Sequence, residues 1–284
     1  MEGSTAGPVG IGEDVQRHAA DVDGVQLSHL VAGESSAPPL VLLHGTFWSR
    51  VWQPVLDRLG ERYRCLALDL PGFGRSGGEL DDSTAAVPAL AATVLRAADA
   101  LGLSEFDLAA HDIGGAVAQH LVVTEGQRVR SLVLVNAVLL DSWPVPAVAR
   151  FRDPAVRAGT SVEDLLAARR ESTRKAVARQ LSDAEVEDYV SPWHDARRVR
   201  SWMAMAAAAD ARYTLDLVPA LIERAVPTRL VWGRDDAFQR IEFARRYVAQ
   251  VPGADLVEVP GKHIPTEDAP VQVAEAVLDH LDRG

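Results

Sequence analysis

The chain carries a single cysteine, Cys65, in 284 residues, so no intrachain disulfide can form. Its setting, Tyr63-Arg64-Cys65-Leu66-Ala67-Leu68, is apolar and suits a buried strand position, with a nucleophilic thiol as the remote alternative. No stretch approaches the ~18 consecutive apolar residues of a membrane span. Met1 to Glu13 is Gly-rich and acidic and lacks the basic start and apolar run of a secretion signal, so a cytoplasmic location is expected. Basic clusters are scarce as well. The formal charge is −11, and the nearest thing to a basic patch is Arg169, Arg170, Arg174, Lys175 and Arg179. Glu171 interrupts it on a helical pattern, which reads as a solvated helix face rather than a phosphate-binding surface. The Gly-rich turns Pro71-Gly72-Phe73-Gly74 and Gly114-Gly115 lack a dinucleotide fingerprint, and no residues have metal-ligand spacing. The expected partner is a small apolar or amphipathic substrate, with no nucleic acid, membrane, cofactor or metal, and a homodimer left open.

What is present is ordinary globular material, 48% hydrophobic and 24% charged, enough for a sizeable core. Arg17 to Val22 and Val25 to Val31 flank Asp23-Gly24, a hairpin dipeptide. Six continuous apolar runs follow: Leu40–Leu43, Cys65–Leu68, Phe106–Ala110, Leu132–Val135, Thr228–Trp232 and Leu256–Val259. Such runs suit parallel strands buried on both faces. Helical patterns over Val87–Leu101, Gly115–Thr124, Glu242–Val251 and Val271–Leu281 alternate with them, predicting a doubly wound α/β fold with a mostly parallel sheet. From Leu139 to Leu217 no strand pattern occurs, and that stretch is too long for a loop. The expected organisation is a flexible segment over 1–15, a core over 16–138 and 218–284, and a helical cap inserted over 139–217.

Leu108-Ala109-Ala110-His111-Asp112-Ile113-Gly114-Gly115-Ala116 lies where an apolar strand meets a helix. A nucleophile held on such a turn needs small residues two before and two after it, here Ala110 and Gly114 around Asp112. The helix start favours negative charge at that point. Taken alone, Asp112 is more readily a helix cap.

Further motifs change that balance. His44-Gly45, Asp69-Leu70-Pro71-Gly72-Phe73-Gly74-Arg75-Ser76, Trp232-Gly233-Arg234-Asp235-Asp236 and Pro260-Gly261-Lys262-His263 stand in the order of the α/β-hydrolase superfamily, which the chain resembles from about Val25 onward. His-Asp at the turn resembles the branch of epoxide hydrolases and haloalkane or haloacetate dehalogenases, in which aspartate replaces serine. The resemblance implies an α/β-hydrolase fold and a triad of Asp112, Asp236 and His263 in the chain order nucleophile, acid, histidine. Asp235 and Asp141 are the competing acids, and Asn136 reads as a structural hydrogen-bonder. His44 and His111 resemble loop-shaping residues. Oxyanion donors are expected from the N–H groups of Thr46 and Ile113. Substrate contacts are expected from Phe47, Trp48, Trp143, Tyr189, Trp193 and Tyr213, although each cap aromatic, taken singly, is more readily cap core than a substrate contact.

A carboxylate is already ionised at neutral pH and suits displacement at saturated carbon, leaving an ester for His263-activated water to hydrolyse. Epoxide opening calls for an acidic donor, commonly tyrosine in the resembled branch, whereas a halide calls for weak N–H donors such as indoles. Tyr213 lies where relatives carry a cap tyrosine, so epoxide hydrolysis is favoured over halide displacement. Two departures stand out: Ile113 where haloalkane dehalogenases often have tryptophan, and His44-Gly45-Thr46-Phe47 where relatives read His-Gly-x-Pro. A C–C hydrolase, lyase or cyclase on the same fold, and a non-catalytic ligand-binding module, are the alternatives.

Overall fold

The computed structural model describes residues 15–283, so the flexible segment expected over 1–15 falls, save for Val15, outside the described residues. Eight strands form one sheet: β1 (Gln16–Val22), β2 (Val25–Ala32), β3 (Pro39–Leu43), β4 (Arg64–Leu68), β5 (Phe106–Asp112), β6 (Val129–Ala137), β7 (Thr228–Gly233) and β8 (Ala254–Val259). Their order is β1-β2-β4-β3-β5-β6-β7-β8. β1 and β2 pair antiparallel through the Asp23-Gly24 turn, β2 pairs antiparallel with β4, and the remaining pairs are parallel. This is the α/β-hydrolase fold.

Alternation along each strand sends neighbouring side chains to opposite faces and so builds two cores. Val41, Leu66, Leu108, Leu134 and Leu230 join one, with helices Val87–Ala100 and Ile113–Glu125. Leu42, Ala67, Ala109, Val133 and Val231 join the other, with helices Gln53–Gly60 and Pro270–Leu281. β5 and β7 are buried throughout, as continuous apolar runs require. β8 is not: most of its residues are partly exposed, because it is the sheet's edge and only one side is covered by a strand.

Between β6 and β7 the described chain forms helices and turns without a strand, the longest being Val162–Ala176 and Ala196–Ala207. Capping boxes start two of the helices, Ser161 with Asp164 and Ser182 with Glu185, each pair satisfying free N–H groups of a first turn. A buried polar joint ties this region to the core. Arg50 meets Asp188 at 2.7 Å and Glu267 at 2.8 Å, and the Tyr189 hydroxyl donates to Glu267 at 2.7 Å. The chain crosses to the other side of β3 between β4 and β5, and the crevice at such a switch point, beyond the carboxyl ends of the strands, is where α/β sheets hold ligands.

Candidate active site

The β5-to-helix turn places Asp112 in that crevice. Its backbone has φ 53° and ψ −126°, a conformation that a non-glycine residue adopts only under constraint from its surroundings. Its side chain makes no bond to the helix it precedes, which removes the helix-cap reading. Instead Oδ2 accepts from the Thr46 N–H at 2.8 Å and the Thr46 hydroxyl at 2.7 Å. Oδ1 has no hydrogen-bond donor among the described residues and faces His263, whose Nε2 stands 4.0 Å away. The two oxygens of one carboxylate are therefore unlike: one is held and one is free. Close approach makes this geometry, since a Cβ on Gly45 would sit 2.5 Å from both Asp112 Oδ2 and the Ile113 nitrogen. The Ile113 N–H opens the helix, where no intrahelical acceptor exists for it.

His263, in the loop after β8, meets Asp236 from the loop after β7, with Nδ1 and Oδ2 2.9 Å apart. Asp236 is further held by the Asn136 amide at 2.7 Å and by the N–H groups of Phe238 and Gln239 at 2.7 and 3.0 Å. An acceptor so committed makes Nδ1 the protonated nitrogen and leaves the Nε2 lone pair toward Asp112. Asp235 is exposed, and Asp141 is half exposed and paired with Arg246, so of the three candidate acids Asp236 is the one that reaches His263. Asn136 also accepts from the Gly233 N–H at 2.8 Å, joining the ends of β6 and β7.

The electrostatics follow from burial and neighbours. Burial alone would raise the pKa of Asp112, but His263, His111 and the two Thr46 donors outweigh it and hold the carboxyl below its ordinary value. Burial also opposes charge on His263, yet Asp236 and then Asp112 raise its pKa. His111 goes the other way: burial and the neighbouring His263 push it down to about 4. As a neutral ring it donates from Nε2 to the His263 carbonyl at 2.7 Å. His44 accepts the Leu70 N–H at Nε2 and donates from Nδ1 to the Gly45 carbonyl, so it shapes the loop that carries Thr46. Cys65 is buried, and its thiol is pushed up to about 12 by burial, which leaves it inert.

A cavity of about 660 Å³ opens over Asp112 and His263. Of the aromatics expected at substrate, Phe47 and Trp143 line it. Trp48, Tyr189, Trp193 and Tyr213 are not among its lining residues. Trp48 and Tyr189 are taken up by structure instead, the indole donating to the Tyr189 carbonyl at 2.9 Å and the phenol to Glu267. Tyr213 is half-buried against the first core. Trp202 and Phe238 do line the cavity, and sequence reasoning left them out of the site.

The larger correction concerns Arg169. It is not on a solvated face but 4% exposed, lining the cavity, with its Nη2 donating to the Thr46 carbonyl at 2.9 Å. The signal was in the helix period. Leu165, Leu166, Arg169, Thr173 and Ala176 form the buried stripe of Val162–Ala176. Arg170, Arg174 and Lys175 pair with Glu187, Asp183 and Glu171 nearer the surface.

The sheet, the turn and the three converging side chains define a hydrolase of the α/β fold. The chain belongs to the alpha/beta hydrolase family, whose model matches residues 40–276. It is similar to haloalkane dehalogenase 2 of Mycobacterium tuberculosis, at 30% identity over 266 residues covering 87% of this chain and 89% of that protein. Epoxide hydrolase 4 of Mus musculus is 26% identical over 251 residues, 78% of this chain and 66% of that protein. Among solved structures, an alpha/beta hydrolase fold protein from Burkholderia ambifaria superposes with a TM-score of 0.81 at 28% identity, over 93% of this chain and 100% of that one. Among the described residues, no helix is long and apolar enough to cross a membrane.

Proposed function

We propose that this enzyme hydrolyses its substrate through an ester on Asp112. The observation that carries the reading is the asymmetry of the carboxylate. Oδ2 is held by Thr46, while Oδ1 is free and faces His263. Oδ1 attacks a saturated carbon; the carbon–oxygen bond forms as the leaving group departs with its electron pair. His263 Nε2 then takes a proton from water, and the hydroxide adds to the carboxyl carbon of Asp112. Negative charge collects on Oδ2, where the two Thr46 donors and the Ile113 N–H receive it. Collapse expels the alkoxide, which takes the proton back from His263; Asp112 keeps one oxygen from water and releases the second water proton to solvent, which restores the carboxylate. Asp236 holds the imidazole in the tautomer this requires and stabilises its cation. The helices between β6 and β7 act as a cap that closes the cavity.

For the leaving group, the cavity favours halide displacement over the epoxide opening expected from sequence. Opening an epoxide calls for an acidic hydroxyl, and among the described residues no tyrosine lines the cavity. Trp143 and Trp202 do, and the Trp202 indole N–H has no acceptor among the described residues. Epoxide hydrolysis remains the second reading, supported by the similarity to epoxide hydrolase 4. A panel of haloalkanes, haloacids and epoxides, scored for released halide or diol, separates the two. Asp112→Asn should abolish either activity. Persistent turnover by that variant would overturn the nucleophile assignment.

A further inference from the structure

The mechanism above leaves one buried charge unused. Three arginines are buried among the described residues: Arg50, Arg169 and Arg229. Arg50 is answered by Asp188 and Glu267, and Arg229 by Asp255 and Asp279 at 2.5 and 2.7 Å. Arg169 forms no ion pair with any described residue. A guanidinium carries five N–H donors, and among the described residues this one has a single acceptor, the Thr46 carbonyl. Its Nε is buried without a partner among the described residues.

The rest of its surroundings are aromatic. The rings of Phe47, Trp193 and Trp202 lie 4.3, 4.6 and 5.6 Å from the guanidinium carbon. Ring faces steady a cation from above and below, but they cannot accept its in-plane N–H bonds. The planar fork is therefore held in place with donors to spare, in the wall of the cavity that contains Asp112. Arg150, exposed and also without an ion pair among the described residues, lines the same cavity.

Asp112 does not serve as the missing counter-ion by contact, since no oxygen of it lies within ion-pair distance of Arg169. Its charge also disappears during the reaction, because the ester on Asp112 is neutral. A leaving group that departs as an anion takes over that charge but needs only single donors, whereas the planar fork of Arg169, with in-plane N–H groups left free, matches the two oxygens of a carboxylate. The reverse holds for the ligand: an anion approaching the Asp112 carboxylate needs a cation beside it. The guanidinium grips the carbonyl of the residue whose N–H holds Oδ2, which places it next to the reacting centre. We propose that the substrate is a small carboxylic acid bearing its leaving group within one or two bonds of the carboxylate, and that Arg169 binds that carboxylate. The placement of the leaving group rests on Asp112 as nucleophile; carboxylate binding by Arg169 does not.

The test compares propionate with propionamide, which match in shape and differ in charge, by tryptophan fluorescence and calorimetry on the full chain. Wild-type protein should bind propionate at least tenfold more tightly than propionamide. Arg169→Met should erase that preference, and Arg169→Lys should restore part of it, which a merely structural strut would not do. Asp112→Asn should retain or tighten propionate binding, so the result stands apart from the fate of the nucleophile. Equal binding of the two probes by wild-type protein would overturn the proposal even if Arg169→Met failed to fold. So would a propionate preference that survives in a folded Arg169→Met.

Discussion

Thr46→Val keeps the shape of the side chain and the backbone N–H while deleting the 2.7 Å hydrogen bond from Oγ1 to Asp112 Oδ2. The two chemical steps should respond differently. In ester formation the carboxylate loses charge, so a donor to Oδ2 stabilises the starting state more than the transition state. In ester hydrolysis the carbonyl oxygen gains charge, so the same donor works only as the step proceeds. A hydrogen bond to a charged oxygen is worth about 1.5–3 kcal/mol. At about 1.4 kcal/mol per decade, hydrolysis should slow ~10–100-fold. Ester formation should not slow. The acid limb of ester formation should also shift upward in pH, because Thr46 is one of the groups holding the Asp112 pKa down. Rapid quenching with intact-protein mass spectrometry reads both rates from the build-up and decay of the adduct. Equal slowing of both steps, or no change in either, would refute the reasoning.

Three other perturbations probe the surroundings. Asp236→Asn should lower the hydrolysis rate by about 10⁴-fold, as loss of the orienting acid does in other triads. It should also move the His263 limb of the pH–rate profile to lower pH, since Asp236 helps to raise that pKa. His111, held down to about 4 against an ordinary 6.5, is neutral in the fold where the unfolded chain takes up a proton. Its contribution to stability is therefore complete above pH 6.5 and lost as pH falls toward 4, so His111→Gln should flatten the fall in Tm over that window. Arg50→Met strands the buried Glu267 carboxylate opposite an apolar side chain and should cost about 3–5 kcal/mol in urea unfolding. An unchanged midpoint would show that Tyr189 and Arg179 satisfy Glu267 without it.

The parts of this molecule that are legible in sequence are those set by local period and turn chemistry. Asp23-Gly24 makes a hairpin, apolar runs make buried strands, and Ala110 and Gly114 allow the crowded turn around Asp112. Other features depend on position in the sheet and on the far side of a helix. The Leu256–Val259 run reads as a central strand, but it lies at an edge that no sequence pattern marks. Helix Gln53–Gly60 begins on the aromatic and proline residues of a loop and does not announce itself. Tyr189 and Tyr213 have the right composition for a donor pair. Their directions are set by Glu267 in one case and by the apolar core in the other, and composition carries no direction. Arg169 was hidden by its neighbours, because four other cations close in sequence made its charge look like surface. Only its spacing from Leu165 and Leu166 set it apart.

The covalent ester on Asp112 is the centre of the account, and a single turnover in heavy-oxygen water tests it most directly. With enzyme in excess over substrate, the ester route puts heavy oxygen into Asp112 and leaves the first product oxygen unlabelled. Mass analysis of the peptide that contains Asp112 should therefore show a gain of one heavy oxygen. Label in the product, with none in Asp112, would mean that water attacks the substrate directly, and would contradict the account.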